Sequence, residues 1–285
     1  VNSTGYTAYG SAGTINKVYE IATPYTTAQL FDIKFAQSAD VMYITHPSHE
    51  VEKLSRTAHT TWTLTDVDFT NGPFMDVNTT ATTLTPASAS VGTGVDITAS
   101  AITGINGGVG WLATDVGRQI YFNSGYATIT ARTSATVAVA TVTTAFTNAN
   151  AIAAWQLGSF SDTTGHPSCV TFFEQRLVFA GTTDQPQTIF FSKSGDYENM
   201  DENIGGTVAD DDAMVYTIAS NQVNAIRFMT ATRTLIIGTA GGEFTVSGGG
   251  TDSAVTPTNI LIKKQSNHGS ANVDALAVGN ATLFL

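Results

Sequence analysis

Three groupings in the chain have the residue types that chemistry needs. His46 and His49, with His59 further on, carry imidazoles that suit Zn²⁺, but no cysteine or third fixed ligand accompanies them. Pro47 and Ser48 stand between the first two, so a polar turn is the simpler reading. Asp210, Asp211 and Asp212 offer hard oxygen ligands to Ca²⁺ or Mg²⁺, yet a Ca²⁺ loop alternates its ligands and closes on a Glu. This run does neither, and it reads as a solvated loop. Cys169 is the single cysteine, which excludes an intrachain disulfide; strand-like neighbours make it a small buried hydrophobe rather than a nucleophile. His166 and His268 sit in Gly165-His166-Pro167 and His268-Gly269-Ser270 and read as loop residues. No Gly-x-Ser-x-Gly elbow or carboxylate pair suited to glycoside hydrolysis stands out. The Gly-rich run 238–242 lacks the Lys-Ser/Thr ending of a phosphate loop and reads as a hairpin turn. The expectation is therefore no enzyme, no catalytic, cofactor-binding or metal residue, and no cofactor.

The elements that would have to position any site are strands. Residues 169–200 are organised as two apolar runs, Val170 to Phe173 and Leu177 to Ala180, around a polar hinge at Glu174, Gln175 and Arg176, then a third run and an acidic loop. The aromatics Phe172, Phe173, Phe190 and Phe191 have few cations beside them and read as core, not as a base-stacking platform. The strand-break-strand phrase recurs: Lys34 and Phe35 leading to residues 41–44, residues 225–228 leading to 234–238, and residues 273–278 leading to 283–285. The last three copies are spaced by roughly 50 to 60 residues, a blade-sized interval for a four-stranded sheet. The longer gap after the first copy calls for an insertion.

Composition agrees with an all-β fold. Only 12% of residues are charged and about one in six is Thr, which suits pleated surfaces and supplies few of the charges that cover helices. The net charge of −11 repels phosphates, which argues against a nucleic-acid reader but suits a passage to which DNA must not stick. No run approaches the roughly 20 apolar residues of a membrane span, and no signal peptide is visible at the start. The chain opens without Met and stops on Leu283-Phe284-Leu285, so it is expected to be part of a longer polypeptide.

Along the chain, Tyr6, Tyr9, Ile15, Val18 and Tyr19 are candidate edge-strand residues, and Thr26 with Gln29 makes a capping box for one helical turn. Trp62, Leu64 and Val67 alternate and are expected to face a core. Residues 78–154 carry only Asp96, Asp115, Arg118 and Arg132 as charges, within long Ala, Thr, Val and Ser tracts. The expected fold is a partial β-propeller with an inserted small antiparallel β-barrel or sandwich. Its parts would be residues 1–77, the insert 78–157, and further blades over 158–285, ending within a blade.

Residues 19–47, 169–200 and 216–246 together resemble the nozzle proteins of short-tailed bacteriophages, the tail tubular protein B class, and related prophage proteins. The likeness covers most of the chain outside the insert, which itself resembles a small β domain named after ubiquitin-activating enzymes. The resemblance implies a propeller-based virion subunit, six copies of which form the distal tail tube below a ring of adaptor proteins. Its partners would be its own copies, the adaptors and passing DNA held without specific binding, with no membrane span. It supplies no catalytic motif. The competing reading is a secreted or surface β-rich adhesin that binds glycans, which exposed Trp or Tyr in a shallow groove would favour. A propeller hydrolase is a third.

Overall fold

The computed structural model describes residues 19–219, 223–250, 253–278 and 281–285. It is all-β apart from short 3₁₀ turns, and its strands form three four-stranded antiparallel meanders, one six-stranded sheet and a terminal hairpin. The first meander comprises β1 (Lys34–Ser38), β2 (Val41–His46), β3 (His49–Ala58) and β4 (Thr61–Asp66). The six-stranded sheet comprises β5 (Leu84–Pro86), β6 (Gly92–Ala99), β7 (Gln119–Phe122), β8 (Gly125–Arg132), β9 (Val137–Thr144) and β10 (Trp155–Leu157). The second meander comprises β11 (Cys169–Phe173), β12 (Arg176–Ala180), β13 (Thr188–Phe191) and β14 (Met214–Thr217). The third comprises β15 (Ile226–Ala231), β16 (Leu235–Thr239), β17 (Gly242–Ser247) and β18 (Leu261–Ser266), and β19 (Leu276–Val278) and β20 (Ala281–Leu283) form the hairpin.

The recurring phrase is the opening hairpin of each meander: β1–β2, β11–β12 and β15–β16 pair antiparallel across it. At the second, Glu174 and Gln175 both adopt positive φ, +46° and +61°, which makes the two-residue turn tight. The fourth copy is the short β19–β20 hairpin, and its break at Gly279 and Asn280 lies outside the described residues. The first strands of the meanders lie together, β11 against both β1 and β15. Lys34 of β1 is buried there: its Nζ donates to the Arg227 carbonyl on β15, lies 3.6 Å from Cys169 Sγ on β11, and pairs with Asp274 Oδ1 at 3.4 Å. One side chain thus ties the inner strands of all three sheets, as a partial propeller requires.

The middle sheet is apolar on both faces, and its sequence shows why. Every residue of Arg176–Ala180 and Thr188–Phe191 is buried. The side chains nevertheless part by alternation. Cys169, Phe173, Val178, Ala180, Ile189, Phe191 and Met214 pack with Ile226, Leu235, Ile237, Phe244 and Val246 of the third sheet. Val170, Leu177, Phe179 and Phe190 pack with Tyr43, Val51 and Val67 of the first. Continuous apolar runs are what a sheet covered on both sides needs.

The six-stranded sheet, ordered β10-β7-β8-β9-β6-β5, curls until Leu84 and Ile152 exchange backbone hydrogen bonds of 2.9 and 3.0 Å near its two edges. Its interior holds Trp111, Ile120, Phe122, Ile129, Val142 and Trp155. Asp115 and Arg118, half of this region's few charges, are a fully buried pair at 3.0 Å. Arg118 also donates to Gly158 O at 2.8 Å and Asn106 Oδ1 at 2.7 Å, while Asp115 Oδ2 accepts from Asn106 and from Leu112 N–H. The segment entering the sheet runs beside β10, which leaves it, Met75 N–H to Leu157 O and Asn78 N–H to Trp155 O, both 2.8 Å.

Several expectations are adjusted. Among the proposed edge-strand residues only Tyr19 is described, and it is exposed outside any strand; Tyr6, Tyr9, Ile15 and Val18 lie outside the described residues. The turn at Thr27–Gln29 forms as read, with Gln29 Oε1 accepting from the Thr26 N–H at 2.9 Å. Val67 is buried, but Trp62 and Leu64 are only half-buried, because their face of the first sheet is turned away from the middle sheet. Phe190→Ala, which empties a site filled from two sheets, is expected to cost about 3–5 kcal/mol, read from urea unfolding. Asp115→Ala, which leaves Arg118 buried without its counter-charge, is expected to cost about 3–5 kcal/mol by the same measurement.

Candidate functional site

The acidic segment after β13 is where the structure departs most from the sequence reading. Of its acids, Glu198, Asp201 and Asp212 are internal partners rather than solvated charges. Glu198 accepts from Tyr43 Oη at 2.8 Å and pairs with Lys53 at 2.7 Å, joining this loop to the first sheet. Asp201 accepts from Asn71 at 3.1 Å and from Tyr126 Oη at 3.2 Å, and Tyr121 Oη donates to Ile204 O at 2.9 Å, joining it to the segment between β4 and β5 and to β7–β8. Asp212 is buried, 2.8 Å from Lys193 Nζ, and accepts from Ala209 N–H at 2.7 Å.

Arg176 closes the arrangement. Its guanidinium is buried and donates to the carbonyls of Ser192 and Asp212 at 2.7 Å and of Asp210 at 2.6 Å. The Asp210 to Asp212 run is therefore held through its backbone, with Lys193 supplying the charge that Asp212 needs. Among the described residues, no group of three or more His, Cys, Asp or Glu is arranged to hold a metal ion.

The histidines fall in three environments. His46 and His49 face each other across the β2–β3 hairpin, ring centroids 5.0 Å apart, with Tyr25 5.2 Å from His49. His46 Nδ1 accepts from Ser48 N–H at 3.1 Å, as a polar turn would have it. Burial and His49 push the His46 pKa down, Asp32 acting the other way. His59 and His268 are exposed, and His166 is buried with Nε2 3.0 Å from Asp162 Oδ1. Cys169 is buried, and burial pushes its thiol up despite Lys34 nearby. It sits in the packing between sheets.

A cleft of about 240 Å³ opens between the first sheet, the six-stranded sheet and the segment before β11. Its walls include Val51, Val67, Phe69, Pro73 and Phe160, and its polar groups include Glu50, Asp66, Asp68, Gln119, Ser161 and His166. The three carboxylates escaped the sequence reading, because their convergence depends on the β3–β4 register and on the chain's return at residue 158. Burial and Asp66 hold the Glu50 carboxyl above its ordinary range, with His166 opposing. On the neighbouring sheet position, Glu52 lies directly opposite Asp66, and burial and then Asp66 raise its pKa too. No Lys or Arg lines the cleft, so it favours a cation or a neutral hydroxylated group and repels phosphate. His166 is engaged by Asp162 and Ser161 Oγ by Thr164, so the geometry does not present a hydroxyl to a base.

No family model matches the chain, and no curated protein matches it. Among solved structures it is similar to a phage phi92 endosialidase, at 13% identity and a TM-score of 0.30, over 90% of this chain and 42% of that one. The chain thus spans less than half of that protein's length. A likeness of that size transfers neither activity nor assembly.

Glu202 provides a test of the acidic seam. Burial, and then Asp201, push its carboxyl up to about 7, opposed by the Val215 N–H and reinforced by Asp76. Its folded pKa exceeds its unfolded one, so its contribution to stability is fullest below the unfolded value near 4.5 and is lost as pH rises through about 7. Glu202→Gln is expected to melt higher than the wild type at pH 8, with the difference vanishing towards pH 5. Thermal melts across that range check this.

Proposed function

We propose that the chain is a structural subunit of a phage virion, part of a tail nozzle whose copies form a ring around the path of the ejected genome. Residues 78–157 would be an inserted unit projecting from the first blade. The observation that supports this best is where the positive charge goes. Lys34, Lys53, Arg56, Arg118, Arg132, Arg176 and Lys193 are all engaged in ion pairs or hydrogen bonds within the fold. The chain's net charge is −11, and seven of its twelve Lys and Arg residues are taken up in this way. DNA affinity comes largely from cations displacing condensed counterions, so a wall built this way lets a duplex slide.

The rigidity a conduit needs is supplied by sheets locked face to face. No helix among the described residues is long and apolar enough to cross a membrane. The role is mechanical, without catalysis or cofactor, and the partners are further copies of the chain, tail adaptor proteins and non-specifically passing DNA. The resemblance of residues 19–47, 169–200 and 216–246 to nozzle proteins supports the same reading.

The full-length protein, mixed with its tail adaptor partners, is expected to form closed rings, six-membered on the resemblance, in electron micrographs and light scattering. It is also expected to show no measurable retention of duplex DNA at 150 mM salt. A protein that stays monomeric with its partners present, or that binds duplex DNA tightly at that salt, contradicts the proposal.

A further inference from the structure

We propose that a groove on the outer face of the first sheet binds a pyranose ring of a surface polysaccharide. The groove, about 270 Å³, is lined by Gln37, Asp40, Met42, Leu54, Arg56 and Trp62. It is built from cross-strand neighbours: Gln37 pairs with Met42, Met42 with Leu54, and Arg56 with Trp62. Four adjacent strands thus fix its floor, a more exact support than loops give.

The side chains are arranged in advance of any ligand. Trp62 donates from Nε1 to His59 O at 3.1 Å, which fixes the indole plane. Arg56 Nε and Nη2 both meet Asp40 Oδ1 at 3.0 Å, which leaves Oδ2 to accept and the remaining guanidinium hydrogens to donate. Gln37 uses Nε2 on Ala39 O at 2.9 Å, leaving Oε1 as an acceptor. The Arg56 guanidinium carbon stands over the Trp62 ring, 5.8 Å from its centroid, a cation–π contact that holds the two side chains together.

This pattern selects its ligand class. A pyranose has an apolar C–H face that stacks on an indole and a rim of hydroxyls that both donate and accept. The groove offers apolar surface from Met42, Leu54 and the part of the half-buried indole that Arg56 does not cover, with an acceptor carboxylate, a donor guanidinium and an amide beside it. The Asp40–Arg56 pair is neutral overall, and the chain's net charge of −11 disfavours nucleotides and other polyanions.

The test uses the full-length protein on an array of bacterial lipopolysaccharide and capsular oligosaccharides, followed by fluorescence titration with the oligosaccharides that bind. Trp111 and Trp155 are buried in the six-stranded sheet, so a change in tryptophan emission reports on Trp62. Binding with an emission change is expected, weakened at least tenfold in Trp62→Ala and in Arg56→Gln. Gln37→Ala removes only an exposed rim group; a several-fold loss there, with the melting temperature unchanged, keeps the test valid if Trp62→Ala folds poorly. Absence of array binding by the wild type, or binding undiminished in all three variants, overturns the proposal. So does loss of self-association in Trp62→Ala without any array binding, which would mark the groove as a subunit contact.

Discussion

The structure depends on one constraint: the sheet β11–β14 has no polar face. Its two central strands bury every side chain, so neither side can meet water, and both must be covered. The first sheet covers one face through Tyr43, Val51 and Val67, and the third covers the other through Ile226, Ile237 and Val246. Three sheets stacked in this way, with their first strands together at Lys34, leave little freedom for anything but a radial arrangement. Hydrophobic burial fixes which faces meet, and Lys34 fixes the depth at which the inner strands stand.

The acidic segment is a second consequence. Once the sheets are packed, the chain between β13 and β14 has to cross from the middle sheet towards the first sheet and the β7–β8 hairpin. Its carboxylates find Lys53, Asn71, Tyr126 and Lys193 along that route. An excess of acid that would otherwise repel itself becomes a seam. Burial, and then Asp201 and Asp76, hold the Glu202 carboxyl above its ordinary range, opposed by the Val215 N–H. The residues that stiffen this seam also take up the cations Lys53 and Lys193.

Much of this was legible in the residues because it is local. The polar hinge at Glu174, Gln175 and Arg176, flanked by apolar runs, announces a hairpin from neighbouring positions alone, although Arg176 belongs to β12 and not to the turn. The partnerships that fix sites are distant, and periodicity is silent about them. Lys34 meets Arg227 across 193 residues, and Glu198 meets Tyr43 across 155. Asp210 to Asp212 read as solvated because nothing nearby in sequence shows that Arg176 holds their carbonyls. Trp62 read as core because alternation marks a face without saying which neighbour covers it. The cleft carboxylates Glu50, Asp66 and Asp68 were overlooked for a related reason, since they are brought together by the pairing of β3 with β4 and the residues that follow it.

The most direct measurement of the central claim is native-state hydrogen exchange on the intact chain, resolved by strand. If the middle sheet is gripped on both faces, amides of Arg176–Ala180 and Thr188–Phe191 exchange most slowly among the three meanders, and only by global unfolding. Exchange in these two strands that is faster than in β2–β3 or β16–β17, or that proceeds by local opening, would contradict the account.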